Sequence, residues 1–320
     1  MWIFVGVFVY GVLAWRGAAP CHPERSGSDA KDLSTNRNAG RSFALRAQDD
    51  KRGAGDDKAE ESAEPNTFAV STAPPFQNVL ESKATQWPRA WILLDPAGSA
   101  VLAQHKADVP MAPASTTKVM TLYVLAQAMR QGTLAPHTRV PVSPQAVKSV
   151  GEGGSRMWLR AGQHVSMRDL ALGLTVHSGN DAAFVIAEAV AGGEQAFVKR
   201  MNAHAVRLGM TRTQFRNASG LPQAGHVSTA RDLARLTQAF LADFPEEYKI
   251  FKEKCFTFAG RKECTKNFLL WQDASADGVK TGLSIEAGYC LIASATRQGT
   301  RLISVVLGSR GEQDRVDQSK

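Results

Sequence analysis

The stretch "MAPASTTKVM" at residues 111–120 sets Ser115 three residues before Lys118, at the start of an apolar run. A serine at a helix start is ordinary, because its hydroxyl accepts a backbone N–H there. A lysine in the first turn is not. A capping box favours Glu or Gln at the third helical position, and the positive end of the helix dipole disfavours a cation by about 0.3–1 kcal/mol. That dipole, together with burial, drives an ammonium group toward the neutral amine. A neutral amine one turn from a hydroxyl, on the same helix face, is the base that turns a serine into a nucleophile.

Spacing alone is weak support for this chemistry. Ser-x-x-Lys occurs twice, at Ser115/Lys118 and at Ser28/Lys31, and Ser-x-Asn occurs twice, at Ser34/Asn36 and at Ser178/Asn180. The two early copies almost coincide in a polar segment that should not fold, so they are read as chance. Ser178 and Asn180 fall on a loop between two helices, where they would relay a proton and hold a substrate amide. A third element, Lys280-Thr281-Gly282, occurs once, in a strand. Lys280 and Thr281 offer a cation and a hydroxyl to a carboxylate, and Gly282 allows a substrate backbone to approach the strand closely. The N–H groups of Ser115 and Leu283 would form an oxyanion hole.

These residues need elements that hold them. "RAWILLDPAGSAVLAQH" is two apolar runs split by a turn, hence a hairpin. A helix over 115–130 follows, with Ser115 as its cap and Gly132 as its stop. Residues 133–165, broken by Pro and Gly, read as loops with short pieces. Helices are predicted over 166–176, 181–191 and 194–208, the last two stopped by Gly192 and Gly209, and another in "VSTARDLARLTQAFLAD" capped by Ser228 or Thr229. The period then changes to two, and strands near 254–259, 277–284, 288–296 and 301–308 read as an antiparallel meander. Strand hairpin, helical block, strand meander is an α+β architecture, with one antiparallel sheet built from both chain ends and a helical block inserted.

The chain has 320 residues and a formal net charge of +8. Its first 69 residues carry nine Lys/Arg against ten Asp/Glu, which leaves 29 against 20 for the remainder. An excess of +9 on the globular part suits anionic partners such as wall polymers or acidic lipid, and equally suits plain solubility. The uncharged run Trp2–Trp15 has the length of a signal-peptide core rather than a membrane span. No Lys or Arg precedes it, so an uncleaved anchor or a misassigned start is the alternative. Residues 1–20 are therefore read as a leader or anchor, 21–87 as a disordered linker unable to bury enough apolar surface, and 88–320 as the catalytic domain. The four cysteines make no C-x-x-C, which argues against a zinc or thioredoxin-like site. Cys255 and Cys264 flank a hairpin-like "FTFAGRKE" and are left open between a disulfide and two thiols. Cys290, in an apolar run, reads as core.

Ser-x-x-Lys, Ser-x-Asn and Lys-Thr-Gly in that order resemble the signature of the penicillin-recognising serine enzymes. The segments "PASTTKVMT", "HSGNDAA", "NASGLPQAGHVSTARDLARL", "PEEYKIF" and "DGVKTGLSIEAGYCLIASATRQGTRLISVVLG" narrow the likeness to the D-alanyl-D-alanine carboxypeptidases among the low-molecular-mass penicillin-binding proteins, over residues 89–308. The resemblance implies a β-lactamase/transpeptidase-like fold. It implies an exported enzyme, in the periplasm or at the outer face of the cytoplasmic membrane, associating with that surface and not with nucleic acid. Its activity would be removal of the terminal D-Ala from peptidoglycan stem pentapeptides through an acyl-enzyme on Ser115. Lys118 would take the hydroxyl proton, Ser178 would pass it to the leaving amine, Asn180 would orient the substrate, and Lys280 with Thr281 would bind the terminal carboxylate. β-Lactams would acylate the same serine, and neither metal nor organic cofactor is implied.

The chain departs from the family pattern in three places. Ser284 stands where relatives usually carry Thr, and it keeps the substrate-binding hydroxyl. Ser219 stands where many carry His, with no evident reason. Relatives continue into a helix on the sheet and often a small β-rich domain, whereas this sequence stops at "GEQDRVDQSK", read as a minimal form or a truncation. Gly179 in the second motif and the lack of an acidic residue in "MTRTQFRNASG" argue against a class A-type β-lactamase. An endopeptidase, and a wall-peptide-binding relic without turnover, remain alternatives. His177 and His226 are read as structural, and Arg156 as solvated surface.

Overall fold

The computed structural model describes residues 88–320. The leader, the linker, Cys21 and the early copies of the two short motifs lie outside the described residues. No helix among the described residues is long and apolar enough to cross a membrane.

The hairpin β1 (Ala90–Asp95) and β2 (Ala100–His105) opens the domain. A single 3₁₀ turn, Ala114–Thr117, runs into α1 (Lys118–Arg130), followed by β3 (Arg139–Pro141), α2 (Pro144–Lys148) and β4 (His164–Ser166). Next come α3 (Met167–Val176), α4 (Asn180–Ala191), α5 (Glu194–Arg207), α6 (Ala230–Asp243) and the one-turn α7 (Pro245–Tyr248). The short hairpin β5 (Cys255–Phe258) and β6 (Arg261–Cys264), α8 (Leu269–Gln272), the strands β7 (Ala276–Ser284), β8 (Gly288–Arg297) and β9 (Thr300–Ser309), and α9 (Glu312–Asp317) complete it.

The main sheet runs β2-β1-β9-β8-β7, antiparallel throughout, so the last strand pairs with the first and the chain ends close the sheet as expected. The local signals act as read. Ser166 and Thr229 accept the N–H of Asp169 and Asp232, capping α3 and α6. Gly192 and Gly209 turn left-handed after α4 and α5.

β8 shows why its sequence is apolar almost without interruption. Cys290 and Ile292 enter the main core on the helical side, which centres on α1, α4 and α6, while Leu291 and Ala293 join Leu269, Leu270 and Val316 in a second cluster. A strand covered on both faces has no polar side to alternate with.

Two expectations are corrected. Ser115 caps no helix: Thr117 precedes α1 without a side-chain cap, and Ser115 sits inside the 3₁₀ turn with its hydroxyl committed elsewhere. The strand near 254–259 does not join the meander. It pairs only with β6, where Cys255 faces Cys264 and the two form a disulfide, the question the sequence left open.

Candidate active site

α1 is buried on all sides, and its first residue is Lys118, with no exposed surface. An ammonium there must satisfy three donors, and it does. Lys118 Nζ donates to Ser115 Oγ at 2.9 Å, to Asn180 Oδ1 at 2.8 Å and to the carbonyl of Ser219 at 2.5 Å. All three acceptors are neutral. Burial, with the nearby charge of Lys280, holds the amine well below the ordinary lysine range. Ser115 Oγ and Lys118 Nζ are thus at hydrogen-bond distance, with the amine oriented by two further groups, an arrangement that suits a nucleophile and its base.

The Ser219 carbonyl is the partner that the sequence did not disclose. Asn217 Oδ1 accepts the N–H groups of Gly220 (2.7 Å) and Ser219 (3.3 Å), and Glu194 Oε1 accepts that of Ala218 (3.1 Å), so the turn is fixed by side chains on either side. Gly220 has φ +85°, and a Cβ on it would lie 1.9 Å from the Ala114 carbonyl oxygen. The turn is therefore pressed directly on the backbone that carries Ser115. Position 219 contributes a main-chain oxygen to Lys118, while its buried hydroxyl lies 3.3 Å from Asn217 Oδ1 within the turn.

Asn180 spends its amide inside the protein. Its Oδ1 takes Lys118, and one N–H of Nδ2 goes to the Val150 carbonyl at 2.9 Å, leaving a single amide hydrogen for a substrate. Its neighbour Asp181 accepts the N–H groups of Met157 and Leu159 at 2.8 and 3.1 Å, tying the 150–159 loop to the start of α4. Ser178 is half-buried with φ +57°, and Ala114, just before the nucleophile, has φ +46°. Non-glycine residues in this region cost roughly 1–3 kcal/mol each and gather at functional sites.

A cavity of about 240 Å³ joins these groups to the third motif, lined by Ser115, Ser178 and Asn180 on one side and Lys280, Thr281, Gly282 and Leu283 on the other. Lys280 is buried, and its Nζ donates only to the Thr281 carbonyl, at 3.1 Å. Burial and the charges of Arg315 and Lys266 bring its pKa down to about 7. Arg315, also buried, lines the same cavity from α9, donates to the Lys266 carbonyl at 3.1 Å, and lies 3.5 Å from Glu312. No short motif marks Arg315. Its only sequence signal is an i,i+3 pairing with Glu312 in a polar terminal segment.

Two site residues stand otherwise than expected. Gly282 meets the protein rather than open space: a Cβ there would lie 3.1 Å from the Pro113 carbonyl and 3.3 Å from the Ser115 nitrogen, so the glycine lets β7 pack on the nucleophile's turn. Ser284 does not reach the cavity. Its hydroxyl accepts the Ala287 N–H at 3.1 Å and closes the β7–β8 turn beside a neighbouring pocket. His226 is buried, with Nε2 3.0 Å from Thr117 Oγ1 and burial lowering its pKa to about 4; His177 lies 3.2 Å from the Phe256 carbonyl. Among the described residues no group of three or more His, Cys, Asp or Glu is arranged to hold a metal ion.

Comparison with known proteins matches residues 77–311 to the family model described as D-alanyl-D-alanine carboxypeptidase. D-alanyl-D-alanine carboxypeptidase DacC of Escherichia coli strain K12 is 44% identical over 236 residues, which cover 72% of this chain and 59% of that protein. The chain thus spans less than two thirds of that relative's length. The crystal structure of penicillin binding protein 6B from Escherichia coli superposes with a TM-score of 0.69 at 38% identity, covering 72% of this chain and 74% of that one. Penicillin-binding protein D2 from Listeria monocytogenes, in its cefotaxime-bound form, gives 0.62 at 31% identity over 72% and 92%.

Proposed function

The chain belongs to the D-alanyl-D-alanine carboxypeptidase family, and from that premise we propose that it removes the terminal D-Ala from peptidoglycan stem pentapeptides. The observation that carries this reading is the bond from Lys118 Nζ to Ser115 Oγ beside a cationic recess. Lys118, held toward its neutral form by burial, takes the Ser115 proton as Oγ attacks the carbonyl of the penultimate D-Ala. The peptide N–H groups of Ser115 and Leu283 would hold the oxyanion, a role supported by the tight packing of β7 on the Ser115 turn. Ser178 would carry the proton to the leaving amine, D-Ala departs, and water hydrolyses the ester. Lys280, Thr281 and Arg315 would bind the terminal carboxylate. Asn180 would chiefly hold the base and offer its one remaining N–H to the substrate.

A cefotaxime-bound relative supports β-lactams as ligands of this site, where Ser115 would be the group they acylate. Export to the wall compartment fits the Cys255–Cys264 disulfide, since such bonds persist where conditions are oxidising. The full chain incubated with a pentapeptide ending in D-Ala-D-Ala should release free D-Ala, and Ser115→Ala should abolish both release and labelling by fluorescent penicillin. Labelling without release would favour a penicillin-binding relic, and rapid nitrocefin turnover a β-lactamase. Cleavage of cross-linked dimers in preference to pentapeptide would favour an endopeptidase.

A further inference from the structure

A second, larger cavity of about 660 Å³ lies on the other side of the 150–159 loop, between that loop and the β5–β6 hairpin. Arg156, Trp158 and Arg160 line it from the loop side and Arg261 from the hairpin. Trp158 is 46% exposed, and its backbone is left-handed at φ +64°. The guanidinium of Arg261 lies 4.1 Å from its ring centroid and that of Arg156 5.1 Å. One indole therefore holds two cations, with Arg160 a third positive group on the same cavity.

Three guanidinium groups line this cavity against a single carboxylate, Asp181. The ion pairs lie elsewhere. Asp181 is buried and holds the N–H groups of Met157, Leu159 and Ala182, and its one negative charge leaves the lining net positive. Guanidinium groups crowded on one ring repel each other, and an anion between them relieves that repulsion. Their planar forks suit carboxylates, which they bind in bidentate fashion.

The two cavities share their walls. The loop gives Gly153, Gly154 and Ser155 to the catalytic cavity and Arg156 to this one, and β6 gives Glu263 and Cys264 to the first and Arg261 to the second. Two or three residues along a strand is about 7–10 Å, the span of roughly three extended residues of a bound peptide. We infer that Arg156, Arg160 and Arg261, organised by Trp158, form a recognition site for the carboxylates carried by the substrate peptide upstream of its cleaved end. The identity of that peptide rests on the proposed function; the site's preference for an acidic peptide does not.

The test is calorimetric titration of the full chain with the tripeptide L-Ala-γ-D-Glu-L-Lys, which bears carboxylates and has no D-Ala-D-Ala end. The same peptide with its carboxylates amidated is the control. Arg156→Gln/Arg261→Gln should weaken tripeptide binding at least tenfold, while fluorescent-penicillin labelling and thermal stability stay unchanged. Amidation should weaken binding to the wild type just as much. Equal binding to wild type and variant, equal binding of the amidated peptide, or no saturable binding to the wild type overturns the site. In turnover, the double variant should raise KM about tenfold for L-Ala-γ-D-Glu-L-Lys-D-Ala-D-Ala and leave diacetyl-L-Lys-D-Ala-D-Ala unaffected. A matching change for both substrates, or none, also overturns it. If the wild type releases D-Ala from neither substrate, the carboxypeptidase reading fails, and tripeptide binding alone decides the site.

Discussion

Two buried lysines stand at one cavity, Lys280 on its lining and Lys118 one hydrogen bond behind Ser115, and their surroundings are opposite. Lys118 has all three of its donors satisfied by Ser115, Asn180 and the Ser219 carbonyl. Lys280 has one carbonyl at 3.1 Å and two cations, Arg315 and Lys266, acting on it. Both are held below the ordinary lysine range by burial, but the first wall is complete without a ligand and the second is not. An amine whose three hydrogen-bond partners are all neutral is suited to exchanging one proton. An under-satisfied ammonium beside a guanidinium is suited to receiving an anion. On the proposed reading, the wall of α1 would serve the chemistry, and the wall of β7 and α9 would serve the binding.

The sharpest way to break this division is Lys118→Ala, which should lower the rate of acylation by fluorescent penicillin on the order of 10²–10⁴-fold with little change in substrate KM. A large KM effect instead would put both lysines in one role. Gly220→Ala attacks the same wall through its backbone. The new Cβ meets the Ala114 carbonyl 1.9 Å away at a φ of +85°, so the Ser115 turn must shift. Misplacement of that size costs about 10²-fold in rate, which stopped-flow acylation would measure, together with a lower melting temperature.

Across the cavity, Lys280→Met should act mainly on KM. Loss of a charged hydrogen bond to the substrate carboxylate is about 1.5–3 kcal/mol, or roughly 10–100-fold. The pH profile carries the same signature. Lys280 is cationic below its pKa of about 7 and neutral above it, so kcat/KM for an anionic substrate should fall as pH rises through 7. Lys118 must lose its proton to act, so the rising limb lies on the acid side of the profile. A profile whose falling limb survives unchanged in Lys280→Met would remove Lys280 from carboxylate binding. Smallest of all should be Ser284→Ala, which gives up one turn bond to Ala287. Its cost should be about 0.5–1.5 kcal/mol of stability, with KM unmoved; a tenfold KM increase would return Ser284 to the substrate.

The residues proposed to act through their side chains were legible in the sequence because type and spacing name them: Ser115, Ser178, Asn180 and Lys280 line one cavity, with Lys118 bonded to Ser115 and Asn180 behind it. What acts through the main chain was not. The Ser219 carbonyl could be any residue's carbonyl, and only the Asx turn made by Asn217 aims it. Arg315 escaped because nothing local distinguishes it from a surface arginine until α9 packs Val316 against the sheet and carries it inward. The β5–β6 hairpin was visible as a turn between two short runs, but its separation from the main sheet was not. Pairing partners are set by tertiary packing, not by the period of the strand.

The Asn180 amide joins Lys118, the proposed base, at one end to the Val150 carbonyl at the other. Through that single group, the proton affinity of Lys118 and the resting position of the loop are linked quantities. Linkage is reciprocal in free energy: whatever steadies the loop must bias the base, and deprotonating the base must change how firmly the loop is held. A peptide lodged against Arg156 would therefore be felt at Ser115 without touching it, so substrate length can act on reactivity as well as on affinity.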